Sequence, residues 1–582
     1  MKAHKFEIKE DFYLDGEKIK IISGGIHYFR VVPEYWRDRL EKLKAMGCNT
    51  VETYVAWNIH EAKEGEFCFE ENADLAKFIG IAKELGLWVI VRPSPYICAE
   101  WEFGGLPAWL LTKQGMRLRT NTRPFLDYVE KYYKELFKIL SPLQVNHGGP
   151  IIMLQIENEY GYYGDDKNYL FSLRRIMEEN GAVVPFVTSD GPMKQTLMDG
   201  GLPDVLATGN FGSRTVERFE VLSDYIGSKP LMCMEFWVGW FDSWGCGKHN
   251  TSNLEENITD FDDMIRLGHV NIYMFHGGTN FGFMNGSNFY EKLEADVTSY
   301  DYDAVLTEDG QFTEKYHAFK TVVSKYRDIP EVEFSTKIER KAYGKLQAKG
   351  KVSLFSVLDD ISKGVFSPCT LTMEQLQQNY GYILYRTSLH KGKHIEKCRI
   401  LDAGDRAILF ANQNKVATRY NLELDQECDF DVPEEEVTLD ILMENMGRVN
   451  YGVRLEDQHK GIKKGVAFNG ALHNNWTHYP LPLDNLEQLD FSKEYKEGTP
   501  SFHEFEFDAK EIGDTFLELD GWGKGIVIVN GRNIGRYWQE GPQRRLYIPG
   551  PYLKEGSNRI IVFETEGLVG NGIELKDEPD LG

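Results

Sequence analysis

The sequence has no apolar run long enough to cross a bilayer, and its opening residues, MKAHKFEIKEDFYLDG, contain no apolar core of the kind a secretory leader carries. It is also short of positive charge. Lys and Arg number 66 against 90 Asp and Glu, a formal net charge of -24. Nucleic acids and anionic membranes attract basic surfaces, so neither is expected as a partner. The 8 cysteines are scattered with no Cys-x-x-Cys pair, and are expected as free thiols or core residues. His27, His60 and His276 show no H-E-x-x-H spacing, and no glycine-rich phosphate loop follows the first apolar run. No internal repeat or low-complexity segment is present. These absences point to a cytoplasmic protein that acts on a neutral small ligand without metal or other cofactor. A homodimer is left open.

What is present is an alternation. Up to about residue 325, short apolar runs such as KIKIISGGIHYF, LWVIVRP and PIIMLQIENEY alternate with amphipathic stretches such as EYWRDRLEKLKAMG and FLDYVEKYYKELFKIL. Eight such units, with runs apolar enough for burial on both faces, spell a (β/α)₈ barrel of the α/β class over residues 1–325. A doubly wound open sheet is the competing layout.

Beyond residue 330 the pattern becomes short strand-like segments separated by polar turns: KVSLFSVL, YGYILYRTSL, DRAILFAN and VTLDILMENMG. A further block includes TFLELDGWGKGIVIVNGRNIGRYW, where Asn530-Gly531 signals a two-residue hairpin. The reading is a linker and first all-β domain over 326–485 and a second, sandwich-like or jelly-roll-like, over 486–582.

Barrel enzymes carry their sites at the carboxyl ends of the strands. Those positions here hold His27 and Tyr28; Tyr54, Trp57 and Asn58; Arg92, Tyr96 and Glu100; Asn158 and Glu159; Asp190; Asn210; Glu235; and His276 with Asn280. Amides and carboxylates bond hydroxyls, and aromatic rings cover the C–H face of a sugar. Glu159 ends the fourth run and Glu235 the seventh, on opposite sides of the barrel mouth. Glycoside hydrolysis uses such a pair, one carboxyl to protonate the leaving oxygen and one to attack or to activate water. A single glutamate is more often a salt-bridged structural residue, but two at opposed strand ends beside Asn158 and Trp240 favour chemistry.

The stretches ETYVAWNIHE, RPSPYICAEWEFGGLPAWLL, QIENEYG, MEFWVGW, NIYMFHGGTNFGF and TSYDYDA occur in that order, and together they resemble glycoside hydrolase family 35. The block GWGKGIVIVNGRNIGRYW is similar to that family's terminal β-domain. The resemblance implies a retaining exo-β-galactosidase with Glu159 as acid/base and Glu235 as nucleophile. It places Asn158 on the sugar 2-hydroxyl, and Tyr54, Cys98, Ala99, Glu100 and Tyr302 around the galactose. Glu100 is the expected partner of the 4- and 6-hydroxyls; its alternative is a salt bridge to Arg92. Tyr300 and Tyr302 are otherwise core aromatics. Trp237 stands where lysosomal members commonly carry tyrosine. With Trp240 it would form an aromatic platform for the leaving sugar, bordered by Tyr451 from the first β-domain. This resembles a bacterial branch that favours galactose β-1,3-linked to N-acetylglucosamine. Two rivals remain: another exo-β-glycosidase, such as a glucosaminidase, on the same glutamates, and a non-catalytic galactoside-binding protein.

Overall fold

The computed structural model describes residues 2–93, 95–390 and 392–582. Eight parallel strands form a closed barrel: β1 (Ile22–Ile26), β2 (Thr50–Tyr54), β3 (Trp88–Arg92), β4 (Ile151–Gln155), β5 (Phe186–Asp190), β6 (Leu206–Asn210), β7 (Met232–Trp237) and β8 (His269–His276). Closure is made where β8 pairs with both β7 and β1, which removes the open-sheet alternative. A helix follows each strand: α1 (Trp36–Met46), α2 (Leu75–Glu84), α3 (Arg123–Leu140), α4 (Lys167–Glu179), α5 (Lys194–Gly200), α6 (Thr215–Ile226), α7 (Leu254–Leu267) and α8 (Glu314–Val323).

Local chemistry explains these elements. The strands β1, β2, β4, β6 and β8 are buried at every position, as a parallel sheet covered by helices requires. In α3, Phe125, Val129, Tyr132, Leu136 and Leu140 recur at three- and four-residue spacing and form the buried stripe. Asp166 caps α4 by accepting from the Asn168 and Tyr169 amides, and Asn253 caps α7 in the same way. Helix α1 stops at Gly47, whose φ of 104° suits glycine. A Cβ there would come within 2.7 Å of Ile329 and Val323.

The first β-domain stacks a six-stranded sheet on a four-stranded one, both within residues 365–481. Tyr385, Leu409, Ile441 and Trp476 from one sheet and Ile400 and Val466 from the other share its core. The second contains a five-stranded and a four-stranded sheet. Asn530 and Gly531, with φ of 49° and 83°, turn Lys524–Val529 into Arg532–Trp538 as the two-residue hairpin their sequence signals.

Two details differ from the sequence reading. The segment 344–353, expected with the first β-domain, supplies strands to the second, where Gly344–Leu346 pairs with Ile573–Lys576 and Gly350–Ser353 with Ser501–Ala509. The second β-domain is therefore built from two separated stretches, because ladder hydrogen bonds follow space and not chain order. KVSLFSVL is strand only to Ser353; Leu354–Ile361 is helical, with Leu354, Val357 and Leu358 buried at helical spacing. Four-residue apolar clusters suit either period, and here the helix packs into the apolar cluster shared by sheets of both β-domains.

Candidate active site

The carboxyl ends of the strands surround a small cavity of about 60 Å³. Tyr54, Cys98, Ala99, Glu100, Asn158, Glu235, Trp237, Trp240 and Tyr302 all line it. Residues that lie up to 248 positions apart in sequence thus share one chamber.

Glu235 lies two residues before the end of β7 and is 6% exposed. Its Oε1 accepts from the Tyr54 hydroxyl at 2.7 Å and pairs with Arg92 Nη2 at 2.7 Å. Its Oε2 accepts from the Trp237 indole at 2.9 Å. Three donors, one of them a buried cation, thus fix the position of the Glu235 carboxyl. Arg92, at the end of β3, is fully buried and is itself fixed by Gln155 and Asn158 at 2.8 Å each. Its guanidinium lies 3.9 Å from the Tyr54 ring centroid. Behind it, Glu52 stands 3.6 Å from Nη1. Burial drives the Glu52 carboxyl up to about 7 despite the charge of Arg92, and Glu235 adds to the rise.

Glu159, half-buried, follows β4 and has a different environment. Its Oε1 accepts from Asn210 Nδ2 at 3.1 Å, and Ser189 orients that amide through its Oδ1 at 2.5 Å. Loss of water, then the charge of Glu235, pushes the Glu159 carboxyl up to about 7 against the Asn210 hydrogen bond and the more distant Arg92. Burial and the neighbouring Glu235 thus let Glu159 keep its proton to a higher pH than an ordinary carboxyl does.

Glu100 is not paired with Arg92. It accepts from the Tyr300 hydroxyl at 2.6 Å, and the Arg30 guanidinium covers the Tyr300 ring at 3.7 Å. Burial raises the Glu100 carboxyl to about 7, while the Tyr300 bond and the Arg30 charge oppose this and Glu235 adds to it. Tyr300 is therefore a buried partner of the cavity wall, and Tyr302 is part of the wall itself.

Backbone strain gathers at the same place. Cys98, Ala99 and Glu100 have successive φ of 57°, 58° and 49°, Glu159 has 47° and Tyr302 has 66°. Each non-glycine residue in this region costs about 1–2 kcal/mol, which the surrounding packing must offset. Gly239 allows the segment after β7 to close on Tyr302, since a Cβ there would sit 1.8 Å from the Tyr302 carbonyl oxygen.

Trp237 and Trp240 do not form a flat platform. Their rings meet at 79° with centroids 5.7 Å apart, because the Trp237 indole turns inward to reach Glu235. Trp240 is 42% exposed and stacks on Phe241 instead. Tyr451, half-buried, comes from the first β-domain on a strand paired with Ser287–Phe289, and its ring lies 6.4 Å from that of Tyr290. The neighbouring Asn450 donates to Cys98 Sγ at 3.7 Å and accepts the Tyr96 hydroxyl through its carbonyl. The fully buried Arg448 pairs with Glu102 at 2.6 Å and with Glu374, joining the two domains.

Residues 11–326 match the family described as glycosyl hydrolases family 35. The chain belongs to glycosyl hydrolase family 35. Residues 370–482 match a first all-beta domain of beta-galactosidase and residues 500–558 a galactose-binding domain of beta-galactosidase. The chain is 40% identical to human beta-galactosidase-1-like protein 2 over 98% of its own length and 91% of that protein's. It is 38% identical to beta-galactosidase 1 of Dictyostelium discoideum, covering 94% and 88%, and to beta-galactosidase 17 of Arabidopsis thaliana, covering 97% and 88%. Among the described residues, no helix is long and apolar enough to cross a membrane.

Several strand-end residues of this family 35 barrel serve packing and not the cavity. Tyr28 bonds His60, Trp57 stacks on Tyr132, and Asn58 donates to the Glu102 carbonyl. Asp190 accepts from the Gly161 amide and so fixes the turn after Glu159. Other cavity residues escape the sequence reading. Tyr273 and Phe241 line it, and Glu52 and Gln155 brace Arg92. Tyr273 sits three residues before the end of β8, and its inward phase along that strand was the signal available.

Proposed function

We propose that this family 35 chain is a retaining β-galactosidase in which Glu235 is the nucleophile and Glu159 the general acid and base. The observation that carries the assignment is the contrast between the two carboxyls. Glu235 is surrounded by Arg92, Tyr54 and Trp237, while Glu159 has one amide donor and a carboxyl raised to about 7. In the first step Glu235 attacks the anomeric carbon as Glu159 gives its proton to the departing oxygen. A covalent galactosyl-enzyme forms, and water, deprotonated by Glu159, then hydrolyses it. Asn158, fixed by Tyr54, Arg92 and Gln155, would bond the 2-hydroxyl through its amide nitrogen.

The small, walled cavity supports exo-action on a single terminal galactose. Glu100, fixed by Tyr300, faces the same chamber and suits the 4- and 6-hydroxyls. The relatives' names as beta-galactosidases agree with this. Outside the cavity, the exposed face of Trp240 and the half-buried Tyr451 suit a leaving sugar, and we take β-1,3-linked galactose on N-acetylglucosamine as the preferred substrate. The test is hydrolysis of aryl β-galactoside, β-glucoside and β-glucosaminide, with Glu235→Gln as the blank. Turnover confined to the galactoside and lost in Glu235→Gln is expected. Equal turnover of the glucosaminide would favour the broader exo-glycosidase, and no turnover of any would favour a binding protein.

A further inference from the structure

A pair of cysteines lies away from this chemistry, in the first β-domain. Cys398 and Cys428 stand directly opposite each other on the antiparallel strands Lys393–Gly404 and Cys428–Val432. Opposed residues project from the same face, and both contribute to one apolar cluster. In antiparallel pairs opposed Cα atoms are about 4.5 or 5.5 Å apart, and a disulfide needs about 4.4–6.8 Å. The pair follows a register shift after Ile395, and opposed residues of either kind fall within that Cα range. Both thiols are free in the structure, with Cys428 Sγ 3.8 Å from the Cys398 carbonyl oxygen.

The two are not equivalent. Cys398 is 1% exposed, whereas Cys428 is half-buried and reachable. Arg419 donates to the Glu427 carbonyl at 3.2 Å, next to Cys428, and its buried Nε has no partner among the described residues. A hydrogen bond from the Cys398 thiol and the charge of Arg419 hold the Cys428 thiol below its usual range. Thiolates are the attacking species in disulfide exchange. Among the described residues, no other two cysteines face each other across a strand pair.

We propose that Cys398 and Cys428 are an oxidation site that closes to a cross-strand disulfide by exchange with a small-molecule disulfide of the glutathione type. The Cys428 thiolate attacks one sulfur of the oxidant, forming a mixed disulfide and releasing one small thiolate. Cys398 then loses its proton and attacks the Cys428 sulfur, and the second small thiol leaves. Two protein thiols are oxidised and one small disulfide is reduced to two thiols. Before the first step the Cys428 sulfur holds the Cys398 proton in place; forming the mixed disulfide removes that restraint. The closed bond would link the ends of the segment containing Arg406–Ala411 and Asn414–Tyr420.

The full-length protein, reduced and then freed of reductant, is incubated with oxidised glutathione. Thiols are counted in denaturant and peptides are mapped by mass. The expected result is loss of two of the 8 thiols, a mass lower by two hydrogens, and a peptide pair joined through Cys398 and Cys428 that separates on reduction. The oxidised protein should also unfold at a higher temperature than the reduced one, a difference that Cys428→Ser lacks while keeping its activity on aryl galactosides. Persistence of both thiols, or two separate glutathione adducts in place of the link, would overturn the proposal.

Discussion

Arg92 Nη2 meets Glu235 Oε1 at 2.7 Å, and the same nitrogen lies 2.8 Å from Asn158 Oδ1. One buried guanidinium thus sets both the carboxylate proposed as nucleophile and the amide proposed for the sugar 2-hydroxyl. Its planar fork also reaches Gln155 and faces Glu52, so the cation spans β2, β3, β4 and β7.

Arg92→Lys should keep the charge but lose this geometry, since an ammonium cannot serve Gln155, Asn158 and Glu235 together. A fall of about 10²–10³ in kcat on every aryl galactoside is expected, comparable to removal of a preorganised transition-state donor. Steady-state kinetics with circular dichroism as a fold check measures it; unchanged kcat would mean that Glu235 needs no such anchor.

The pH profile follows from Glu159. In the proposed mechanism its neutral form is the acid, and its carboxyl is raised to about 7, so kcat/KM for a poor leaving group should fall as pH rises through that value. Glu159→Gln should abolish this alkaline limb, and should spare the first step for the most activated aryl galactosides, which need little protonation. An alkaline limb unchanged in Glu159→Gln would assign it to another group.

Glu52 gives a stability prediction. Its carboxyl is raised from 4.5 to about 7 in the folded protein, so the fold holds that proton more tightly than the unfolded chain does. This contribution is complete below about 4.5 and is lost as pH rises through about 7. Glu52→Gln lacks that loss, so its stability relative to wild type should improve between pH 5 and pH 8 in urea titrations. A constant difference across that range would refute the shift.

Trp237→Phe keeps a ring but removes the 2.9 Å indole donor to Glu235. Charge-assisted bonds contribute about 1.5–3 kcal/mol, so a 10- to 100-fold lower kcat is expected for all substrates. Trp240→Ala removes an exposed face with no bond to either glutamate, and should raise KM for galactosyl disaccharides more than for aryl galactosides. Equal losses on both substrate classes would reduce Trp240 to packing.

Arg448→Met tests the seam between the domains. It leaves Glu102 and Glu374 buried without their cation, a change that costs about 3–5 kcal/mol, and frees the segment that brings Asn450 to Cys98. Lower stability with a raised KM is expected. A variant that is destabilised but kinetically intact would show that the first β-domain only supports the barrel.

The local sequence carried much of the fold. Fully buried parallel strands require continuous apolar runs, so all eight barrel strands were readable, and Asn530-Gly531 encoded its own turn. The positions of Glu159 and Glu235 at opposed strand ends were readable for the same reason: strand order fixes which ends face the mouth. What local pattern could not fix were relations set by long-range packing. The sequence allowed Arg92 to pair with Glu100, but β3, in register with β2 and β4, delivers it into the barrel to Glu235 and Glu52. It allowed Trp237 and Trp240 to lie side by side, but the unmet Oε2 of Glu235 draws one indole inward and leaves the other outside. It divided the β-domains by position in the chain, whereas residues 344–353 complete the second domain's sheets across a gap of some 150 residues. Residue types and strand order are local and were determined by the sequence alone. Which donor meets which carboxylate depends on side chains converging from separate strands in a low-dielectric interior, and only the tertiary structure decides that.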